Sequence, residues 1–386
     1  MTDFKALESS LDFSVYPKRD LVLVRGENAT VWDDEGQQYI DCVAGHGVAS
    51  IGHCNPVIVE ALEKQSRRLI NCSATFYNDA RAEFLAKLMS VVPKNLKRAF
   101  LCNSGTETIE AAIKFARFTT RKTEFICAMR GFHGRTMGAL SATYNPEYRK
   151  DFEPIVPGFH YVPFNNFDKL AEKVSEHTAG VILEIVQGEG GVHVGSSDYF
   201  AQVRKLCDEK QVLLIVDEVQ TGFCRTGRMF ACDHFGLQPD ILCVAKAIAG
   251  GLPMGAAICS EKVQPPTGKH GSTFGGNPLV CAAGSAAIGF MLENKLDEQA
   301  RQKGEHFVGK LKERQFTNVR EIRHLGLMVG IELKEKSQPY LVKLMQEGVL
   351  AMPAGATVIR FLPPLTISHD ELDFVAAKVA VVLPAA

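Results

Sequence analysis

Nowhere in the 386-residue chain does an apolar run approach the roughly 18 residues that a membrane-crossing helix needs. The opening residues, Met1-Thr2-Asp3-Phe4-Lys5, carry no apolar leader core. An excess of one charge is also missing, because 43 Lys and Arg face 44 Asp and Glu and leave a formal net charge of −1. General attraction to nucleic acid or to anionic lipid is therefore not expected. The eleven cysteines are odd in number, scattered singly and form no C-x-x-C pair. They read as reduced thiols used as small apolar residues, with no disulfide framework and no metal site. Repeats, low-complexity tracts and long linkers are absent too. The expectation is a cytoplasmic protein with a substantial core, without membrane or nucleic-acid partners.

What is present is organised around Val212-Leu213-Leu214-Ile215-Val216-Asp217-Glu218. Five apolar residues in a row, rich in β-branched types and too few for a helix, read as a strand buried on both faces of a parallel sheet. Ligands of open α/β sheets sit beyond the carboxyl ends of the strands, where Asp217 falls. A second run, Asp240-Ile241-Leu242-Cys243-Val244-Ala245, delivers Lys246 to the same rim. An acid and an amine at one site suit pyridoxal phosphate (PLP): the lysine forms a Schiff base with the aldehyde, and the carboxylate keeps the ring nitrogen protonated. A partly desolvated lysine also has a lowered pKa and is a better nucleophile. The bland alternative is a solvated strand end. A nucleotide hydrolase shares the strand-Asp-Glu pattern, but its G-x-x-x-x-G-K-S/T loop is missing, since Gly268-Lys269-His270 lacks the hydroxyl and the earlier glycine.

Around this centre the chain divides into three expected parts. Residues 1–48 read as an arm and a small β-meander that packs with the C-terminal domain, with a polar turn at Arg25-Gly26-Glu27-Asn28. Residues 49–278 read as the large domain, where strands and helices alternate from about 98 to 260, as in a helix-covered, mainly parallel sheet. Residues 279–386 read as a smaller α+β domain, with helices around 282–294 and 298–312, strands near 327–332 and 358–361, and a last helix from about Asp370. The histidines of the glycine-rich segment 44–53 read as structural or substrate-lining.

Three loops at the rim suit a phosphorylated ring. Ser104 and Glu107 have capping-box spacing, so a helix starting at Gly105 would present free amides to a phosphate; an ordinary helix cap has the same signature. Phe132 in Arg130-Gly131-Phe132-His133-Gly134-Arg135-Thr136 can lie flat on a ring, and Arg135 can pair with a carboxylate; the alternative is a turn with a core Phe. The loop Gly271-Ser272-Thr273-Phe274-Gly275-Gly276 can hold phosphate or merely turn.

The order and spacing of these segments resemble the class III, fold type I aminotransferases, in particular the acetylornithine aminotransferase group. The resemblance runs nearly the full length: Asn103-Ser104-Gly105-Thr106-Glu107, Gly131 through Thr136, Glu184 through Val186-Gln187-Gly188-Glu189-Gly190-Gly191, Asp217 through Gly222, Lys246, the Thr273 loop and Arg360-Phe361-Leu362-Pro363-Pro364-Leu365. It implies that Lys246 forms the Schiff base and shuttles the proton, Asp217 meets the ring nitrogen, Gln220 the phenolic oxygen, and Phe132 stacks on the ring. Ser104, Gly105 and Thr106 would hold phosphate, His133 would adjoin the cofactor, and Thr273 would come from the partner of an obligate homodimer. Arg360 and Arg135 would bind the two carboxylates of glutamate, with Glu184 and Ser272 also on the substrate side. Glu189 resembles the switch that neutralises Arg360 when an ω-amine is bound, which lets two substrates of unlike charge share one pocket.

The implied reaction is ping-pong transfer between an N-blocked lysine or ornithine and 2-oxoglutarate. Segments such as Val24-Arg25-Gly26, Tyr39-Ile40-Asp41-Cys42-Val43 and Leu327 through Lys336 look most like the enzymes of the carrier-protein route to lysine. There the amine is blocked by a small acidic carrier, for which Lys18, Arg19 and Arg25 would form a basic rim. Free acetylornithine is the other donor. Another class III enzyme (ornithine or ω-amino acid aminotransferase, glutamate semialdehyde aminomutase) and a non-catalytic scaffold are the remaining alternatives, the last opposed by intact Lys246 and Asp217.

Overall fold

The computed structural model describes residues 3–385; Met1 and Thr2, the head of the stretch read for a leader core, and Ala386 lie outside the described residues. After a short helix, Phe4–Leu11, strands β1 (Leu23–Glu27), β2 (Thr30–Asp33) and β3 (Gln38–Asp41) form an antiparallel meander. Its first turn comes later than expected. Strand β1 runs through Arg25, Gly26 and Glu27, and Glu27 lies opposite Thr30, leaving Asn28-Ala29 as a two-residue turn. Asn28 takes a φ of 50°, a left-handed value that asparagine tolerates better than most residues.

The middle of the chain contributes β4 (Leu96–Cys102), β5 (Glu124–Ala128), β6 (Phe159–Val162), β7 (Thr178–Glu184), the short pair β8 (Val186–Gln187) and β9 (His193–Val194), then β10 (Leu213–Asp217), β11 (Ile241–Val244) and β12 (Gly255–Ser260). Seven of these build one sheet in the order β4-β12-β11-β10-β7-β5-β6. Only β12 runs against the rest, so the sheet is mainly parallel. Every residue of β7, β10 and β11 is buried, because helices cover both faces, and this explains their unbroken apolar sequences. Register places Asp217 beside Glu184 on β7 and beside Cys243 on β11, which brings the three strand ends to one level.

The C-terminal part carries β13 (Val319–Leu325), β14 (Met328–Leu333), β15 (Val349–Leu350), β16 (Met352–Ala354) and β17 (Val358–Phe361). Strands β13-β14-β17-β16 form an antiparallel sheet, and β15 instead pairs with β3, joining the N-terminal meander to this end of the chain. Strand β13 was not expected. Its sequence, VREIRHL, alternates too weakly, and in the fold no residue of it is fully buried. The helices expected here span Pro278–Glu293, Leu296–Lys312 and His369–Val382. Among the described residues no single helix is long and apolar enough to cross a membrane.

Candidate active site

Strand β11 ends at Val244, and Lys246 follows with a φ of 47° at the head of a single 3-10 turn, Lys246–Ala249. A left-handed lysine costs on the order of 1 kcal/mol, and such strain is stored where a site needs a side chain aimed. Burial lowers the pKa of the amine; Arg360 acts in the same direction, while Glu189, Asp217 and Glu184 oppose it. Among the described residues the amine makes no hydrogen bond or ion pair, so nothing competes for its lone pair once the proton has gone.

Asp217 closes β10 and is buried. Its Oδ2 lies 2.7 Å from His133 Nδ1, and its Oδ1 accepts the Val219 amide at 3.0 Å. Burial alone would depress the His133 pKa, but the hydrogen bond and charge of Asp217, with the charge of Glu184, leave it raised. The neighbouring Glu218 is a clamp. Its carboxylate accepts the amides of Ala231 and Cys232 and the Thr221 hydroxyl, with no exposure at all, and burial pushes its pKa up to about 7.

The helix Gly105–Thr120 begins at the end of β4. Ser104 caps it by accepting the Glu107 amide, and the Glu107 carboxylate reaches back to the Asn103 amide at 2.8 Å. A side chain on Gly105 would come within 2.7 Å of Val219, so the glycine lets the loop after Asp217 close over this helix end. Thr106 and Thr136 share a hydrogen bond at 2.8 Å beside it.

Arg360 lies on β17 between β14 and β16 and is wholly buried. Its Nη2 donates to Glu189 Oε1 at 2.7 Å and its Nη1 to Gln220 Oε1 at 2.9 Å. The pKa of Glu189 is lowered: burial would raise it, but Arg360, Lys246 and His46 prevail. A side chain on Gly188 would collide with Gln220, so that glycine permits the approach. An unpaired amine, a braced carboxylate and the open amides of a helix end are the donor set that the aldehyde, ring nitrogen and phosphate of PLP require.

The class III aminotransferase family matches residues 15–383 of this chain. The chain belongs to the class III aminotransferases. A LysW-aminoadipate semialdehyde transaminase of Deinococcus radiodurans is 51% identical over 377 residues, covering 96% of this chain and 88% of that protein. An acetylornithine aminotransferase of Methanopyrus kandleri is 46% identical, with 98% of each chain covered. The ornithine aminotransferase structure from Toxoplasma gondii superposes with a TM-score of 0.94 at 33% identity, covering 98% of this chain and 94% of that one. As a class III aminotransferase this is a PLP-dependent enzyme of fold type I. PLP, when bound, supplies the electron sink for amino-group transfer.

The remaining candidate residues of the aminotransferase fall into two groups. Arg135 is exposed at the rim and its guanidinium lies 3.7 Å over the Tyr148 ring and 5.5 Å from that of Phe132. Thr273 is exposed, whereas the Ser272 hydroxyl accepts from Asn103 Nδ2 at 3.1 Å and from the Gly275 amide at 3.0 Å. Ser272 thus braces the loop that leads into the helix Gly105–Thr120, with only its proton left to offer. Glu184, expected on the substrate side, is buried, and its two oxygens accept the amides of Phe132 and Gly188. Tyr148, which supports Arg135, and Val219, which rests on Gly105, carry no signal in the sequence that singles them out. His46 is one of several histidines in its segment, yet Gly45 and His46 both take left-handed values and His46 shares a cavity wall with Glu189. The one available signal for it was a histidine between two glycines.

Proposed function

We propose that this aminotransferase moves the ω-amino group of an α-N-blocked lysine or ornithine to 2-oxoglutarate, or runs the reverse reaction towards the amine, in lysine or arginine biosynthesis. The observation that carries the reading is the buried Arg360 masked by Glu189 at 2.7 Å, set against an Arg135 left open at the rim. Glutamate has two carboxylates and engages both arginines; an ω-amine donor has no carboxylate for Arg360, and Glu189 covers it. With PLP bound, Lys246 would hold or move the proton, Asp217 braced by His133 would hold the ring nitrogen, Phe132 would stack, and Gln220 would offer its amide nitrogen to the phenolic oxygen. Ser104, Gly105 and Thr106 take the phosphate.

A cavity of about 1200 Å³ is lined by Glu189 and His46 together with Lys18, Arg19 and Arg25, a volume that accommodates a blocked donor. The expected basic rim is weaker than its composition. Lys18 is paired with Glu8 and Asp12, and Arg25 with Glu27, leaving Arg19, which donates to the Ala351 carbonyl, as the one of the three without an ion pair among the described residues. The carrier-linked donor is favoured by the 51% relative, and free acetylornithine by the 46% relative and by the neutralised rim. In the same proposal the enzyme is a cytoplasmic homodimer, divided near residues 48 and 278, with Thr273 serving the partner's phosphate. The exposed Ile70, Phe76, Tyr77 and Phe274 suit burial in such a contact. The test is a half-reaction assay on the loaded enzyme with acetylornithine, ornithine and carrier-linked lysine in turn. Fast conversion of the carrier-linked amine alone places the enzyme in the carrier route; no conversion of any of the three overturns the reading.

A further inference from the structure

Behind the ring site lies a row of three buried titratable side chains that the reaction described above uses only at one end. Asp217 faces the cofactor position and holds His133 Nδ1 at 2.7 Å. The other ring nitrogen, His133 Nε2, is buried and has no hydrogen-bond partner among the described residues. A methyl group built on Gly131 would stand 3.2 Å from that nitrogen and 3.6 Å from Glu184 Oε2, so His133 and Glu184 face the same narrow space. Glu184 in turn accepts the Phe132 amide on Oε2 at 3.1 Å and the Gly188 amide on Oε1 at 3.3 Å. One carboxylate thus ties the loop carrying Phe132 to the loop carrying Glu189.

We propose that Glu184 is a positioning residue that binds no substrate: with His133 it forms a buried, charge-coupled row behind Asp217, and its ionisation sets how firmly Asp217 holds the ring nitrogen. Besides the three members themselves, Lys246 is the charged group that acts on this row among the described residues. Burial raises the Glu184 carboxyl, His133 and the two backbone amides oppose and Asp217 adds to the rise, and together they leave it at about 7. Above that pH the ionised Glu184 stabilises the imidazolium, which draws on the Asp217 charge. Below it the proton sits on Glu184, and the imidazolium, left with one anion in place of two, draws on Asp217 more strongly, so Asp217 holds the ring proton less firmly. Neutral pH therefore lies where the row changes state, and Glu184 couples that change to two loops of the site.

The inference rests on Asp217 as the group at the ring nitrogen, so its test is made first on the apoprotein, where that assignment plays no part. The His133 ring is followed by nuclear magnetic resonance, and protonated carboxyl groups by infrared difference spectroscopy, across neutral pH. Two buried carboxyls should titrate near 7, Glu184 and the clamp Glu218. Glu184→Gln should remove one of them and lower the His133 midpoint. His133→Asn, which keeps a donor for Asp217 but removes the imidazolium, should raise the Glu184 midpoint by roughly one unit or more. In the loaded enzyme, Glu184→Gln should also erase the limb of the half-reaction pH profile near neutrality. An unchanged His133 midpoint in Glu184→Gln, or an unchanged carboxyl midpoint in His133→Asn, overturns the proposal. Loss of turnover in Asp217→Ala tests the ring assignment separately.

Discussion

Replacing Glu189 by Gln keeps the shape of the switch and removes its charge. In the native enzyme Glu189 Oε1 lies 2.7 Å from Arg360 Nη2, the guanidinium side chain being 0% exposed and the carboxylate 33% exposed. Two unit charges about 4 Å apart attract by about 4 kcal/mol at an effective dielectric constant near 20. Part of this is returned when Glu189 swings into water, so the net cost of opening the switch is on the order of 2 kcal/mol, about thirtyfold in a binding constant. Glutamate and 2-oxoglutarate must meet that cost in the native enzyme and would escape most of it in the variant. Their apparent dissociation constants, read from single-turnover half-reactions, should fall by up to about thirtyfold. The ω-amine donor should bind more weakly, because it then leaves a buried guanidinium without an anion. If the ratio of the two half-reactions stays as in the native enzyme, Glu189 is not a switch. The sign with pH follows from the lowered pKa of Glu189. A depressed folded pKa means the pair contributes above the unfolded carboxylate range and is lost only as pH falls through the folded value, so the switch stays charged across neutrality.

Other expectations test separate parts of the structure. Asp217→Ala should leave far-ultraviolet circular dichroism intact and abolish most turnover, and near-native rates would remove Asp217 from the site. Phe84 is fully buried and packs against Gly284; Phe84→Ala should cost about 3–5 kcal/mol in urea unfolding, and a loss below about 1 kcal/mol would mean the helices around it repack. Burial lowers Lys303 to about 8 from 10.5 while its ammonium donates to the Leu365 carbonyl and Gln299. The unfolded chain then binds more protons between those values, so stability should rise with pH across that window. Lys303→Met should flatten that rise in thermal melts, and an unchanged slope would assign it to another group.

Much of the site was legible in one dimension because its parts sit at strand ends and helix starts. Apolar runs of strand length, each stopping at a charged residue, marked Asp217 and Lys246, since a parallel sheet buries both faces of its strands and releases the chain at one rim. Ser104 and Gly105 marked a helix start for an equally local reason, the capping of free amides. Strand β13 stayed hidden because its half-buried residues satisfy no strict alternation. The turn after β1 was misplaced because polar Arg25 and Glu27 are tolerated on an exposed strand.

The sequence by itself therefore determined the sheet, its order of chemistry-bearing loops and the class of cofactor, all of which follow from local patterning. Only the tertiary structure decided which partner each acid meets. Asp217 and Glu218 are neighbours in the chain, yet one meets His133 and the other clamps Ala231 and Cys232. Glu184 and Glu189 stand five residues apart, yet one turns in to backbone amides and the other out to Arg360, some 170 residues away. Carboxylates are alike in sequence. What separates them is the donor that long-range packing brings to each, and that packing depends on the whole fold.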